Sequence, residues 1–222
     1  MYISKVSLIN YRNFRNNKFL FNNNINTIIG ENGSGKTNLF RAIRLLLDDN
    51  LLKYSYKLDK NDFSRNLDDW RCHWIIISLE FSELSHDESI QSLFIHGVGN
   101  VAGDVVDSAT YNLFFRPKAD IRLKLSELES GDIAGFNLIK ESISIEDYET
   151  YFTGKSTADF NNSDIYKELV GDFEDINFNY EIDEDKFGVK IPHQLSISKE
   201  ISFTFIKALR DVVSDFQANK TN

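Results

Sequence analysis

Cysteine is nearly absent from this chain, with Cys72 alone among 222 residues. An internal disulfide and a metal site built from several cysteines are therefore excluded. Cys72 lies in RCHWIIISLEF, where a buried structural thiol is expected rather than a reactive one. Proline is equally scarce, with two residues, so there is no proline-rich linker. Internal repeats and low-complexity tracts are missing as well. No apolar run approaches the roughly 20 residues needed to cross a bilayer. The opening stretch MYISKVSLINYRNF lacks the apolar core of a signal peptide. A soluble, cytoplasmic protein without a membrane partner is expected.

What is present is enough for a core: 41% hydrophobic against 27% charged residues places the chain among ordinary globular proteins of one large domain or two small ones. The net charge of -9 is unevenly spread. Residues 1–53 carry eight Lys/Arg and three Asp/Glu, whereas residues 127–188 carry seventeen acids and four bases. The acidic stretch 127–188 repels a nucleic-acid backbone, and a solvated face is its simplest reading. The charge shift also allows a sub-boundary near residue 130 within a single 1–222 unit.

The coarse pattern reads as α/β. Ile3 to Ile9 and Lys18 to Phe21 suit strands, joined by the polar turn NYRNFRNN with Phe14 turned inward. Ile25 to Ile29, rich in β-branched residues, reads as a third strand. From Lys36 the period becomes helical, with Leu39, Ala42, Ile43 and Leu46 on one face and Asp48, Asp49 and Asn50 at its end. Trp74 to Phe81 reads as a buried strand. Ser85 to Glu88 has the form of a capping box and predicts a helix toward Ile95, and Gly97 to Gly103 predicts a turn. Thr110 to Phe115 and Ile121 to Leu125 read as two strands of a hairpin turning at 117–120. Further on, 145–152 and 163–173 are expected as helices, with strands at 176–182, 187–191 and 201–206 and a helix over KALRDVVSDF.

One motif carries chemistry. Gly30-Glu-Asn-Gly-Ser-Gly35-Lys36-Thr37 fits G-x-x-x-x-G-K-[ST], with an expected strand before it and an amphipathic helix after it. The glycines let backbone N–H groups turn inward around a phosphate, and the helix N-terminus adds partial positive charge. Lys36 reaches β- and γ-phosphates and the Thr37 hydroxyl ligates Mg²⁺. ATP and Mg²⁺ are thus the expected cofactors. The nucleotide-contacting set comprises Asn32, Gly33, Ser34, Gly35, Lys36, Thr37 and Asn38. The acid that hydrolysis needs after a hydrophobic strand is not evident. Glu80 in IIISLE is the nearest candidate, and a solvent-facing role suits it better. Leu128 to Asp132 is a poor match to the ATPase signature. Asp183-Glu184-Asp185 reads as a solvated loop rather than a nuclease carboxylate pair. The catalytic residues stay unassigned.

The opening strand, Asn10-Tyr11-Arg12-Asn13-Phe14, the next strand and GENGSGKTNL together resemble the start of the ABC-type ATPases, in the branch holding SMC and RecF proteins and the OLD-family (overcoming lysogenization defect) ATPase-nucleases. Leu58-Asp59-Lys60-Asn61-Asp62-Phe63 and Phe205-Ile206-Lys207-Ala208-Leu209-Arg210-Asp211 resemble OLD segments. The resemblance implies an ABC-type P-loop lobe: a mixed β-sheet, the P-loop helix and an added antiparallel β/α portion, the first lobe of an incomplete ATPase. It also implies that Arg12, with Asn13 beside it, lies against the phosphates. It implies pairing of ATPase heads into a homodimer or higher oligomer, and a nuclease domain or partner chain gated by ATP, with antiphage defence as the setting. DNA would then be engaged through the assembly rather than through 127–188. The alternatives are a RecF- or SMC-like DNA-repair ATPase and a nucleotide-sensing assembly subunit without turnover.

Overall fold

The computed structural model describes residues 1–48, 51, 57–84, 99–102, 105–191 and 204. The expectations over 85–95, 201–203 and 205–216, and those on residues 49, 50, 97, 98 and 103, lie outside the described residues.

The chain opens with β1 (Tyr2–Tyr11) and β2 (Phe14–Leu20), a hairpin whose turn is only Arg12 and Asn13. The P-loop leads into α1 (Lys36–Leu47). Four longer or shorter strands follow: β3 (Ile75–Ser82), β4 (Gly99–Ala102), β5 (Val105–Pro117) and β6 (Tyr148–Gly154). Between β5 and β6 lie α2 (Ala119–Ser126) and α3 (Ile133–Ser142). After β6 come α4 (Ser163–Val170), the short α5 (Glu184–Phe187) and β7 (Val189–Lys190). The seven strands form one sheet in the order β2-β1-β3-β5-β6-β7, with β4 on the end of β5. Every pairing among the described residues is antiparallel, which corrects the expected mixed sheet.

Both faces of this sheet are covered, which is why β3 is an almost unbroken apolar run. Ile75, Ile77, Leu79 and Phe81 face the main core, while Ile76 faces a second cluster. Leu39, Ala42, Ile43, Leu45, Leu46 and Leu47 of α1 fill the main core against Val6, Leu8 and Leu113. On the opposite face, Ile9, Trp74, Ile76 and Phe114 pack against Phe160, Leu169, Val170 and Phe187 from the segment after β6. Ser78, Asn112 and Thr153 form a buried polar row on that face. Ser78 donates to Asn112 Oδ1 at 2.6 Å, Asn112 Nδ2 to Thr153 at 3.1 Å, and Thr153 to the Phe187 carbonyl at 2.8 Å. Such a chain satisfies its polar atoms and pins the strand register.

The departures from expectation have local causes. Residues 25–29 form no strand: they make no ladder pairing among the described residues, and Ile25 and Ile29 are 95% and 89% exposed. Their β-branched composition favours an extended backbone but does not supply a partner. Ile121 to Leu125 is helical rather than the second arm of a hairpin. Ile121 and Leu125, four apart, are buried while Leu123 between them is exposed, which is helical and not strand spacing. Residues 145–152 were expected as a helix. They form one 3₁₀ turn at Ile145–Asp147, closed by a Ser144/Asp147 capping box, before β6 begins. No strand occupies 176–182, where a single bridge joins Asp172 and Asn177. Residues 99–102 pair with β5 instead of turning. Helix α3 carries a weak sequence signal because no residue of it is fully buried: Ile133 and Leu138 point outward, and Phe136 and Ile139 pack half-buried against the main core. Cys72 is buried, in a left-handed conformation just before β3, and burial pushes its thiol up to about 12. It is an inert packing residue. No helix among the described residues is long and apolar enough to cross a membrane.

Candidate functional site: the P-loop and the hairpin tip

The loop after residue 29 is shaped by two glycines in the left-handed region, Gly33 at φ 87° and Gly35 at φ 100°. Other residues are strained there. Gly35 is also the residue before α1, and no side chain caps that helix. The N–H groups of its first turn are therefore left to an outside acceptor, and an anion is the natural one. The Lys36 ammonium folds back and donates to the carbonyls of Gly30 and Glu31, the latter at 2.7 Å. Asn32, Gly33, Ser34 and Thr37 are exposed, while Gly35, Lys36 and Asn38 are half-buried.

The β1–β2 turn meets this loop directly. Asn13 Nδ2 donates to the Ser34 carbonyl at 3.3 Å, and Asn38 Nδ2 donates to Asn13 Oδ1 at 2.8 Å. Arg12 Nη1 donates to Asn38 Oδ1 at 3.3 Å. The fit is close: a Cβ on Gly35 would fall 2.1 Å from Asn13 Nδ2. Arg12, Asn13, Ser34 and Asn38 are thus joined by hydrogen bonds, and Asn32, Gly33, Gly35, Lys36 and Thr37 lie in the loop and the first helical turn beside them.

Asp62 is the member that sequence reading missed. It is 1% exposed, and Arg12 meets it with Nε at 2.9 Å and Nη2 at 2.8 Å. It closes a 3₁₀ turn at Lys60–Asp62 in which Asp59 and Asp62 cap each other's backbone. The backbone joins in: Arg12 N–H donates to the Asp62 carbonyl at 2.7 Å and Ser64 N–H to that of Asn10 at 2.9 Å. Arg12 sits at φ 53° and Asn10 at φ 55°, so the turn is strained and held by these bonds. The Arg12 guanidinium is thereby shared between Asp62 and the P-loop helix. Its signal was the Asp in LDKNDF, but only tertiary contact reveals the partner.

Other expectations fall elsewhere. Glu80 pairs with Lys5 at 2.9 Å, five residues along β3 from Ile75 and so roughly 16 Å from the hairpin-tip end. Burial works against the Lys5 charge, but Asp159 and Glu80 overcome it and raise its pKa. Asp183 caps α5 by accepting from the Asp185 and Lys186 N–H groups, a structural task. Ser130 and Gly131 both bond the Asp175 carbonyl in a turn before α3.

The residues present fit a polyphosphate. They offer an uncapped helix start, an ammonium resting on loop carbonyls that phosphate oxygens can replace, and an exposed threonine hydroxyl. For a metal the chain offers less: no group of three or more His, Cys, Asp or Glu suited to a metal occurs among the described residues. Mg²⁺ would be held by Thr37 together with the phosphates themselves.

The AAA ATPase domain family matches residues 1–221. This chain belongs to that family. As an AAA ATPase domain it is a nucleotide-binding P-loop protein. It is also similar to the DNA replication and repair protein RecF of Bacillus pumilus, at 48% identity over 46 residues, and to that of Oceanobacillus iheyensis, at 52% over 46 residues. Each match covers 21% of this chain and spans only 12% of the relative's length. A solved structure from work on ATP-driven dimerization and DNA-stimulated activation of SMC ATPases aligns with 52% of this AAA ATPase domain and 64% of its own chain. The identity there is 17% and the TM-score 0.37.

Proposed function

We propose that this AAA ATPase domain binds ATP–Mg²⁺ at the P-loop as the nucleotide-binding lobe of a DNA-processing ATPase, with an OLD-type ATPase-nuclease as the specific reading. The lock between Asn13, Asn38, Ser34 and Arg12 supports it, because it brings the NYRNF turn to the phosphate cradle. In this reading the Gly33, Ser34 and Gly35 backbone encloses the phosphates. Lys36 leaves the Gly30 and Glu31 carbonyls for phosphate oxygens. Thr37 takes the metal, and Asn13, Asn32 and Asn38 line the mouth. Arg12, steadied by Asp62, brings its guanidinium charge beside the phosphates. When bound, Mg²⁺ neutralises phosphate charge and orients it for attack. Hydrolysis would follow on pairing of two heads, and the nucleotide state would gate a nuclease domain or partner chain acting on DNA, as in antiphage defence. The RecF relatives, named for DNA replication and repair, favour a repair setting as the neighbouring reading.

A second reading, an ATP-sensing assembly subunit without turnover, is favoured by one observation. Glu80 is bound to Lys5 at the far end of β3, and Asp62 is taken up by Arg12. Lys36→Ala is expected to abolish ATP binding by titration calorimetry while leaving the melting temperature unchanged. Retained affinity in that variant would overturn the P-loop assignment. Steady-state phosphate release by wild type that vanishes in Lys36→Ala would exclude the sensing subunit.

A further inference from the structure

On the sheet face opposite α1 two arginines are brought together without enough acid. Arg116 on β5 is 4% exposed and stacks on Tyr151, with its guanidinium carbon 4.2 Å from the ring centroid. Trp74 and Phe187 flank it at 5.3 and 4.9 Å. Among the described residues its ion pair runs from Nε to Glu149 at 3.1 Å. Arg122 on α2 lies 5.5 Å from the Tyr180 ring and gives its Nε to the Pro117 carbonyl at 3.2 Å. Among the described residues no acceptor meets the Nη groups of either arginine. Burial and the neighbouring Arg122 charge lower the Arg116 guanidinium to about 10, and Glu149 is the carboxylate felt by both arginines. Lys190 adds a third cation, 5.1 Å from the Tyr151 ring.

Arg116, Arg122, Tyr151, Tyr180 and Lys190 line a cavity of about 370 Å³, closed by the segment Ile182 to Val189 with Glu184 and Phe187. Three cations and one carboxylate, Glu184, thus line the cavity within an aromatic frame, with Glu149 beside it on Arg116 Nε. Two guanidinium forks with open Nη donors match phosphate oxygens. Tyr180, 41% exposed, offers a ring face on which a base stacks.

We propose that this cavity is a second anion site, separate from the P-loop, which takes the phosphate of a nucleotide unit with its base against Tyr180. That unit is either a free nucleotide or part of a single strand. The site is hidden in the charge count because Tyr151 and Tyr180 belong to the acidic 127–188 stretch while its cations flank that stretch.

The test is fluorescence anisotropy of a labelled oligothymidylate with the full chain, without ATP. Wild type and Lys36→Ala are expected to bind equally. Tyr180→Ala combined with Lys190→Ala, both at exposed positions, is expected to raise Kd about tenfold and to lower the salt slope by about 1. Arg122→Gln is expected to weaken binding further, with ATP affinity at the P-loop kept. Displacement by thymidine 5′-monophosphate assigns a single nucleotide unit; retention of the strand against it assigns the strand. Absence of binding, binding unchanged in the pocket variants, loss in Lys36→Ala, or equal displacement by polyglutamate would each overturn the proposal.

Discussion

Arg12 shows how much rests on one residue at the hairpin tip. It holds a left-handed φ and compensates a carboxylate, Asp62, that is almost fully buried. Removing the guanidinium takes away the opposite charge beside that carboxylate, which costs roughly 3–5 kcal/mol in a fully buried pair. Arg12 is itself 27% exposed, so Arg12→Ala is expected to lose less, about 2 kcal/mol. Arg12→Ala combined with Asp62→Ala is expected to recover part of that loss. Urea denaturation of both variants checks it, and a double variant no more stable than the single one would contradict the buried-charge account. The P-loop itself was legible because its chemistry is local: glycines, Lys36 and Thr37 lie within eight consecutive positions. Asp62 was not, because its meaning comes from Arg12, fifty positions earlier, and no local pattern encodes that contact.

At the scale of elements, α4 is tethered to the hairpin by one phenol. The Tyr166 hydroxyl accepts from Asn10 Nδ2 at 2.8 Å and from the Trp74 N–H at 3.1 Å. Its own proton is then left for His73 Nδ1, 3.2 Å away, which requires that nitrogen to be unprotonated. Burial, and then the Arg15 charge, lower His73 to about 3, and its ring stacks on Phe173 at 4.0 Å. A folded value below the ordinary 6.5 means that the unfolded chain binds the proton first. The stability tied to neutral His73 is therefore complete above about pH 6.5 and is lost as pH falls toward 3. His73→Phe is expected to flatten stability against pH across that window, measured by urea denaturation at several pH values. An unchanged slope would count against it. Sequence pattern found α1, whose buried face is periodic, β3, whose run is apolar throughout, and also β1 and α4. It misassigned α2 and the start of β6, where Ile121, Leu123 and Leu125 alternate in sequence while the helix buries only the outer two. It missed α3, whose packed face is only Phe136 and Ile139, both half-buried.

For the whole molecule, the consequence of the run at 25–29, which pairs with no strand among the described residues, concerns its behaviour at high concentration. A β-branched run with Ile25 and Ile29 exposed is a template for strand addition by another chain. The isolated protein is therefore expected to self-associate with rising concentration even when no nucleotide is added. Sedimentation velocity over a concentration series, comparing wild type with Ile25→Lys combined with Ile29→Lys, checks this. The double variant should stay monomeric, and identical profiles would refute it. Any nucleotide-driven pairing of heads has to be measured above that background, and the lysine variant offers a colloidally quiet protein in which to see it.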